Sequence, residues 1–217
     1  MLQNLTLSDL LIAAKLFCLS MSQIAHPELY GITDGKAVGT FIEQGFRKQL
    51  LENFILDVGN SARGIDLPSI QTDIKATSVR QPQSSCPFQS SRQKVYGLGY
   101  NLLLFVYDKA DDPTTKTAQI KFVSCSFIDK SRTADYQTTR GLHDILSREG
   151  NKDDIVAFLE DRNLPGDEIM LNSLADEILS NPPLQGYLTI SNALQWRLQY
   201  GRVVALTQNI IGIERII

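Results

Sequence analysis

Long apolar runs are missing from the start of this sequence: the stretch Leu10–Ala14 is cut by Lys15, whereas a membrane span takes ~20 predominantly apolar residues. Only Asp9 precedes Lys15 among the charged residues, so the basic n-region of a secretory signal is lacking and a cytoplasmic protein is expected. Cysteine is scarce. Cys18, Cys86 and Cys125 form an odd set without CxxC or metal-like spacing, which argues against a disulfide framework and a structural zinc site and points to a reducing compartment. Of two histidines, His26 precedes a proline and His143 falls on a helical pattern beside Asp144 and Arg148. No Ser-His-Asp or Cys-His nucleophile arrangement is readable. Gly97-Leu98-Gly99 is too short for a dinucleotide loop. Positive charge is not in excess either: 21 Lys+Arg against 24 Asp+Glu leave −3, which excludes a simple polycation holding nucleic acid by bulk electrostatics. Internal repeats and low-complexity tracts are absent.

What is present suits a folded core. With 217 residues, 43% apolar and 8% aromatic, one large domain or one and a half is expected. Thr6 or Ser8 can cap a helix over about Asp9–Gln23, with Leu10, Leu11, Ala14, Phe17 and Cys18 at helical spacing. His26-Pro27 ends it. Val38, Phe41, Ile42, Phe46, Leu50 and Phe54 fit a second helix from about Lys36 to Ile55. The period then changes to two. Arg63–Leu67, the turn Pro68-Ser69 and Ile70–Val79 read as a β-hairpin, and Asn101–Asp108 and Ile120–Ile128 as buried strands. Gln81–Ser90 reads as a polar loop before a short helix near Ser91–Tyr96. Helices are expected over Ala134–Arg148, Asp153–Asp161, Glu168–Leu179 and Ile190–Tyr200, with a terminal strand near Ile211–Ile216. Charge is unevenly spread. Residues 74–107 carry Lys75, Arg80, Arg92 and Lys94 without an acid, a local +4, while residues 151–180 carry eight acids against Lys152 and Arg162, a local −6.

The residues that can carry chemistry are Asp66 and Asp73-Ile74-Lys75. Two carboxylates on adjacent arms of a hairpin can converge on one Mg²⁺, a hard cation that keeps its remaining positions for water and phosphate. Lys75 shares a strand face with Asp73 because side chains alternate. An ammonium there can orient a water and offset charge building on a phosphorane-like transition state. These are the parts of metal-assisted phosphodiester hydrolysis. An acid-x-Lys triplet alone is weak evidence, and Asp34-Gly35-Lys36 is a second one, better read as a helix cap. On the preceding helix Glu43 falls inside the apolar arc, where a carboxylate wants a partner, although Glu52 lies near that arc too. The plainer alternative makes Asp66 a turn residue and Asp73 and Lys75 a solvated strand face.

Glu43 on its helix, Asp66, Asp73-Ile74-Lys75 and the strand Asn101–Asp108 together resemble the PD-(D/E)xK nuclease superfamily, specifically a type II restriction endonuclease, over about residues 36–107. Ile65 stands where the motif has proline, and Asp73 where glutamate is commoner. The resemblance implies an α/β fold with a restriction-endonuclease-like core, a mixed central sheet flanked by helices, placed over 1–132; the helical spacing beyond it predicts a mostly helical, winged-helix-like C-terminal region over 133–217. It implies that Asp66 and Asp73 bind Mg²⁺, that Lys75 assists the attacking water and that Glu43 supports the site.

Three segments suit DNA. Thr77, Ser78, Arg80, Gln81, Gln83, Ser84 and Ser85 follow the triplet, with Arg suited to guanine, Gln to adenine and hydroxyls to phosphates. Arg92 and Lys94 open the next helix, where backbone N–H groups can hold a phosphate. The stretch Thr189–Val204 has the outline of a recognition helix entering a wing, with Asn192, Gln195 and Arg197 on its exposed arc and Gly201 ending it. The expected activity is site-specific cleavage of double-stranded DNA by a homodimer, since two-fold protein symmetry maps onto site symmetry, with a cognate DNA methyltransferase in the same system. A repair or junction-resolving nuclease and a non-catalytic winged-helix DNA-binding regulator are the alternatives.

Overall fold

The computed structural model describes residues 2–56, 65–86, 89–191 and 196–217. In chain order its elements are β1 (Gln3–Asn4), α1 (Leu7–Met21), β2 (Ala25–His26), α2 (Gly35–Asn53), β3 (Phe54–Ile55), β4 (Thr72–Ser78), β5 (Gln83–Cys86), α3 (Arg92–Tyr96), β6 (Asn101–Asp112), β7 (Thr117–Ile128), α4 (Tyr136–Ser147), α5 (Lys152–Asp161), α6 (Glu168–Ser180), β8 (Thr189–Ile190), β9 (Trp196–Gln199), α7 (Gly201–Val204) and β10 (Ile213–Arg215). They fall into two units: Met1–Gln83 with Tyr100–Ile128 and Leu206–Ile217, and Ser84–Gly99 with Asp129–Ala205. No described helix is long and apolar enough to cross a membrane.

Capping sets the first unit's helices. Thr6 accepts a hydrogen bond from the Asp9 N–H while the Asp9 carboxylate accepts from the Thr6 N–H, so α1 starts on a reciprocal box. Asp34 starts α2 by accepting from the Lys36 N–H, as expected for the Asp34-Gly35-Lys36 triplet. α1 buries Leu10, Ala14, Phe17 and Met21, and α2 buries Val38, Ile42, Phe46 and Leu50, rows at helical spacing. They pack on a mixed five-stranded sheet. Its path runs β10-β7-β6-β4, with β2 also on β7; β4 is parallel to β6, and the β6–β7 and β7–β10 pairs are antiparallel. Phe17, Phe46, Phe105 and Phe122 knit helices to sheet with ring centroids 5.1–6.0 Å apart. Fully burying one such ring stabilises by ~1.5–3 kcal/mol.

β6 is buried on both faces from Leu102 to Tyr107, as a central strand should be. β4 ends the sheet path. α2 lies close to it because residue 39 is glycine: a Cβ there would sit 2.8 Å from the Ala76 carbonyl oxygen. In place of the expected hairpin arm before it, the described residues show one antiparallel bridge, Leu67 to Thr72, closed by a tight turn through Pro68–Ile70. Residues 63 and 64 of that arm lie outside the described residues.

The second unit packs α3 to α6 around Val95, Leu142, Ile155, Leu159, Leu174 and Ile178. Its small sheet runs β5-β9-β8, and this corrects two expectations. Gln81–Ser90 is not loop throughout, since Gln83–Cys86 is a strand. The recognition helix over Ile190–Tyr200 is not found in the described residues, where Thr189–Ile190 and Trp196–Gln199 pair antiparallel. Leu198 and Tyr200 are buried while Arg197 and Gln199 are exposed, a period of two that the helical spacing of Ile190, Leu194 and Leu198 masks. Gly201 therefore opens the short helix α7 instead of closing a long one.

Candidate active site at the edge of the sheet

An edge strand leaves alternate N–H groups without a strand partner, and a buried one must be satisfied by other means. Along β4 the outward N–H groups belong to Thr72, Ile74 and Ala76. The Thr72 N–H donates to the Leu67 carbonyl at 3.1 Å. The Ile74 N–H donates to Asp66 Oδ2 at 2.9 Å, and the Ala76 N–H to Glu43 Oε1 at 2.8 Å. Two carboxylates thus cover the free edge of the strand that carries Asp73 and Lys75.

Period-two alternation puts Asp73 and Lys75 on one face, where Lys75 Nζ lies 2.7 Å from Asp73 Oδ2. Asp73 is only 2% exposed. Burial is the main reason its pKa rises from 3.8 to about 6; Lys75 opposes the rise, and the neighbouring Asp66 carboxylate adds to it. Burial also raises the Glu43 carboxyl, with the Ala76 N–H and Lys75 pulling it back. Burial alone would depress the Lys75 ammonium, but Asp73, Glu43 and Asp66 outweigh it and its pKa ends raised. Lys75 is therefore a cation, held among three carboxylates.

The four residues singled out from the sequence, Glu43, Asp66, Asp73 and Lys75, are brought together. Of the two acids α2 offers, Glu43 reaches β4 and Glu52 is exposed. Arg47 was not anticipated: its Nη2 donates to Asp66 Oδ1 at 2.5 Å. The signal for it was present, since Gly39, Glu43 and Arg47 recur every four residues and so share the face of α2 turned to β4.

Among the described residues no group of three or more His, Cys, Asp or Glu side chains is arranged to hold a metal ion. The donor chemistry of the pair Asp66 and Asp73 nevertheless suits a hard divalent cation. Both are oxygen donors, Asp66 adds to the rise that burial imposes on Asp73, and Mg²⁺ commonly takes only one or two protein carboxylates.

The residues proposed for DNA are placed unevenly. Thr77 is buried; its hydroxyl donates to the carbonyls of Gln81 and Gln83 and accepts from the Gln83 N–H, closing the turn after β4. Ser78 Oγ accepts from the Arg80 N–H. Arg80 and Gln81 are exposed, Gln83 is half-buried and Ser85 is exposed. Ser84 Oγ lies 2.5 Å from the Tyr200 hydroxyl. Arg92 pairs bidentately with Glu177, its Nη2 2.6 Å from Oε1 and its Nε 3.0 Å from Oε2. Lys94 is 4% exposed, so it offers no surface cation; burial lowers its pKa, with Asp135 opposing. Arg197 is exposed on β9. Asn192 and Gln195 lie outside the described residues.

Residues 4–215 match the family model described as Type II restriction enzyme NspV, which sets the chain among the type II restriction endonucleases. A curated relative, the type II restriction enzyme NspV of Nostoc sp. (strain ATCC 29411 / PCC 7524), is 59% identical over 202 residues, covering 92% of this chain and 91% of the relative. The chain belongs to the NspV family. No solved structure matches it.

Proposed function

We propose that this chain is a type II restriction endonuclease that hydrolyses phosphodiester bonds of double-stranded DNA at a defined sequence, with the edge of β4 as its active site. The observation that carries the site assignment is the pairing of Lys75 with the buried Asp73, flanked by Asp66 and Glu43 on the outward N–H groups of the same strand. Asp66 and Asp73 would hold Mg²⁺, which when bound supplies a charge sink and a more acidic water. Lys75 orients the attacking water through its N–H donors and balances the negative charge that grows on the phosphate. Glu43 joins Asp73 in keeping Lys75 protonated and holds β4 to α2. Arg47 fixes the rotamer of Asp66 through its hydrogen bond.

Sequence reading falls to exposed polar side chains, with Arg80, Gln81, Ser85 and Arg197 the best placed by their exposure. The strand pairing of Trp196–Gln199 favours a hairpin over a winged-helix recognition helix as the C-terminal element offered to DNA. One site per chain and a two-strand cut suggest a homodimer on a pseudo-palindromic sequence. The enzyme would act in the cytoplasm alongside a methyltransferase that protects the host's copies of the site.

Supercoiled plasmid incubated with Mg²⁺, and in parallel with EDTA, tests the reading. Discrete fragments with common ends, formed only with Mg²⁺, support it. Nicking confined to branched substrates would instead indicate a junction-resolving nuclease, and retardation of DNA without cleavage a regulator.

A further inference from the structure

The second unit holds a cavity of about 300 Å³ whose lining includes Arg140, Arg162 and Arg202, with Asp144 the acid among the lining residues. Three elements supply the cations: Arg140 comes from α4, Arg162 follows the end of α5, and Arg202 lies in α7. Three guanidiniums against one carboxylate give the lining a net +2. Arg162 Nη1 donates to the Gln137 side-chain carbonyl at 3.0 Å. Arg140 and Arg202 form no ion pair or hydrogen bond among the described residues. Arg202 is stacked on the Tyr136 ring, its guanidinium carbon 3.9 Å from the ring centroid.

That stacking matters chemically. A guanidinium lying on an aromatic face has its plane fixed while its N–H donors radiate from its edge, so little side-chain entropy is lost when it grips a two-oxygen acceptor. Arginine forks match phosphate bidentately, and such charge-assisted bonds are about twice as strong as neutral ones. Like charges gathered at one cavity repel, and an anion relieves that repulsion.

We propose that the Arg140–Arg162–Arg202 cavity seats a phosphodiester group of the DNA backbone and so helps fix the register of the duplex on the enzyme. The proposal rests on the DNA-cleaving function above. A contact of this kind positions DNA without reading its sequence, so its loss affects all sequences alike.

The test measures binding of short duplexes, with and without the cleavage sequence, in EDTA over about 50–200 mM salt. Arg140→Gln and Arg202→Gln should each reduce the steepness of log affinity against log salt by about 0.9, and the double variant by about twice that. Arg202→Lys should retain most of the slope. Thermal unfolding should be unchanged, since both side chains are exposed, and the fragment ends should stay the same. A double variant with the wild-type slope overturns the proposal. A loss confined to the cleavage sequence also overturns it, by marking a base contact. If inorganic phosphate stabilises the wild type against unfolding while the variants keep the wild-type DNA slope, the cavity holds a free anion and the proposal fails. Absence of salt-dependent duplex binding by the wild type itself overturns the DNA-cleaving function, and is distinguishable because it precedes any substitution.

Discussion

Asp73→Asn should uncouple stability from pH in the metal-free protein. In the fold the Asp73 carboxyl has its pKa raised from 3.8 to about 6, chiefly by burial. The native state therefore binds this proton more tightly than the unfolded chain does. Stability from this group is fully present below the unfolded value and is lost as pH rises through the folded one, so the metal-free enzyme weakens between about pH 4 and 6 and levels off above. The gap corresponds to roughly 3 kcal/mol, which for a chain of this size is about 6–12 °C in Tm. Asparagine keeps the shape and cannot titrate. Calorimetry of both proteins in EDTA from pH 4 to 7.5 should find the variant's Tm rising relative to the wild type by about that amount, while cleavage is lost. Comparing the two cancels the opposing contributions of surface acids such as Asp111 and Asp112, whose pKa values are lowered by hydrogen bonds from neighbouring Lys109 and Thr114. A Tm difference that stays constant across the range would refute the claim that Asp73 is held ionised against its environment.

Mg²⁺ added at pH 7 should raise the wild-type Tm by ligand linkage and leave that of Asp73→Asn nearly unmoved, as a thermal-shift titration can check. Gly39→Ala forces a methyl to within 2.8 Å of the Ala76 carbonyl; overpacking of this kind costs ~1–3 kcal/mol, and moving α2 off β4 should cut cleavage by more than stability alone predicts. Arg47→Ala removes a partly exposed pair worth less than ~1 kcal/mol to folding, yet it should lower the single-turnover rate with little effect on DNA affinity. Thr6→Ala removes the α1 cap and should cost ~1 kcal/mol, read by denaturant unfolding, without touching activity.

Legibility followed from how locally each feature was encoded. α1, α2, α4, α5 and α6 carry their own caps and helical apolar spacing, β6 announces itself as an apolar run and β7 as an alternating one, so their places could be read from neighbouring residues. The acid-x-Lys pair was legible for the same reason, since a period of two puts Asp73 and Lys75 on one face whatever the partners of the strand. Other features depend on residues distant in sequence. Asp66 and Glu43 reach the β4 edge because β4 has no second strand neighbour among the described residues, a fact of topology no local pattern states. Lys94 looked like a surface cation in a polar stretch, but the packing around α3 buries it. Trp196–Gln199 suits a helix or a strand equally in isolation, and the pairing with β8 decides.

Single-turnover cleavage by Asp73→Ala and Lys75→Ala, measured beside their duplex binding, tests the active-site assignment most directly. Each substitution should slow hydrolysis by at least about a hundredfold, the usual cost of removing one transition-state electrostatic group, while binding remains measurable. Wild-type rates from either variant would contradict the assignment of the β4 edge as the active site.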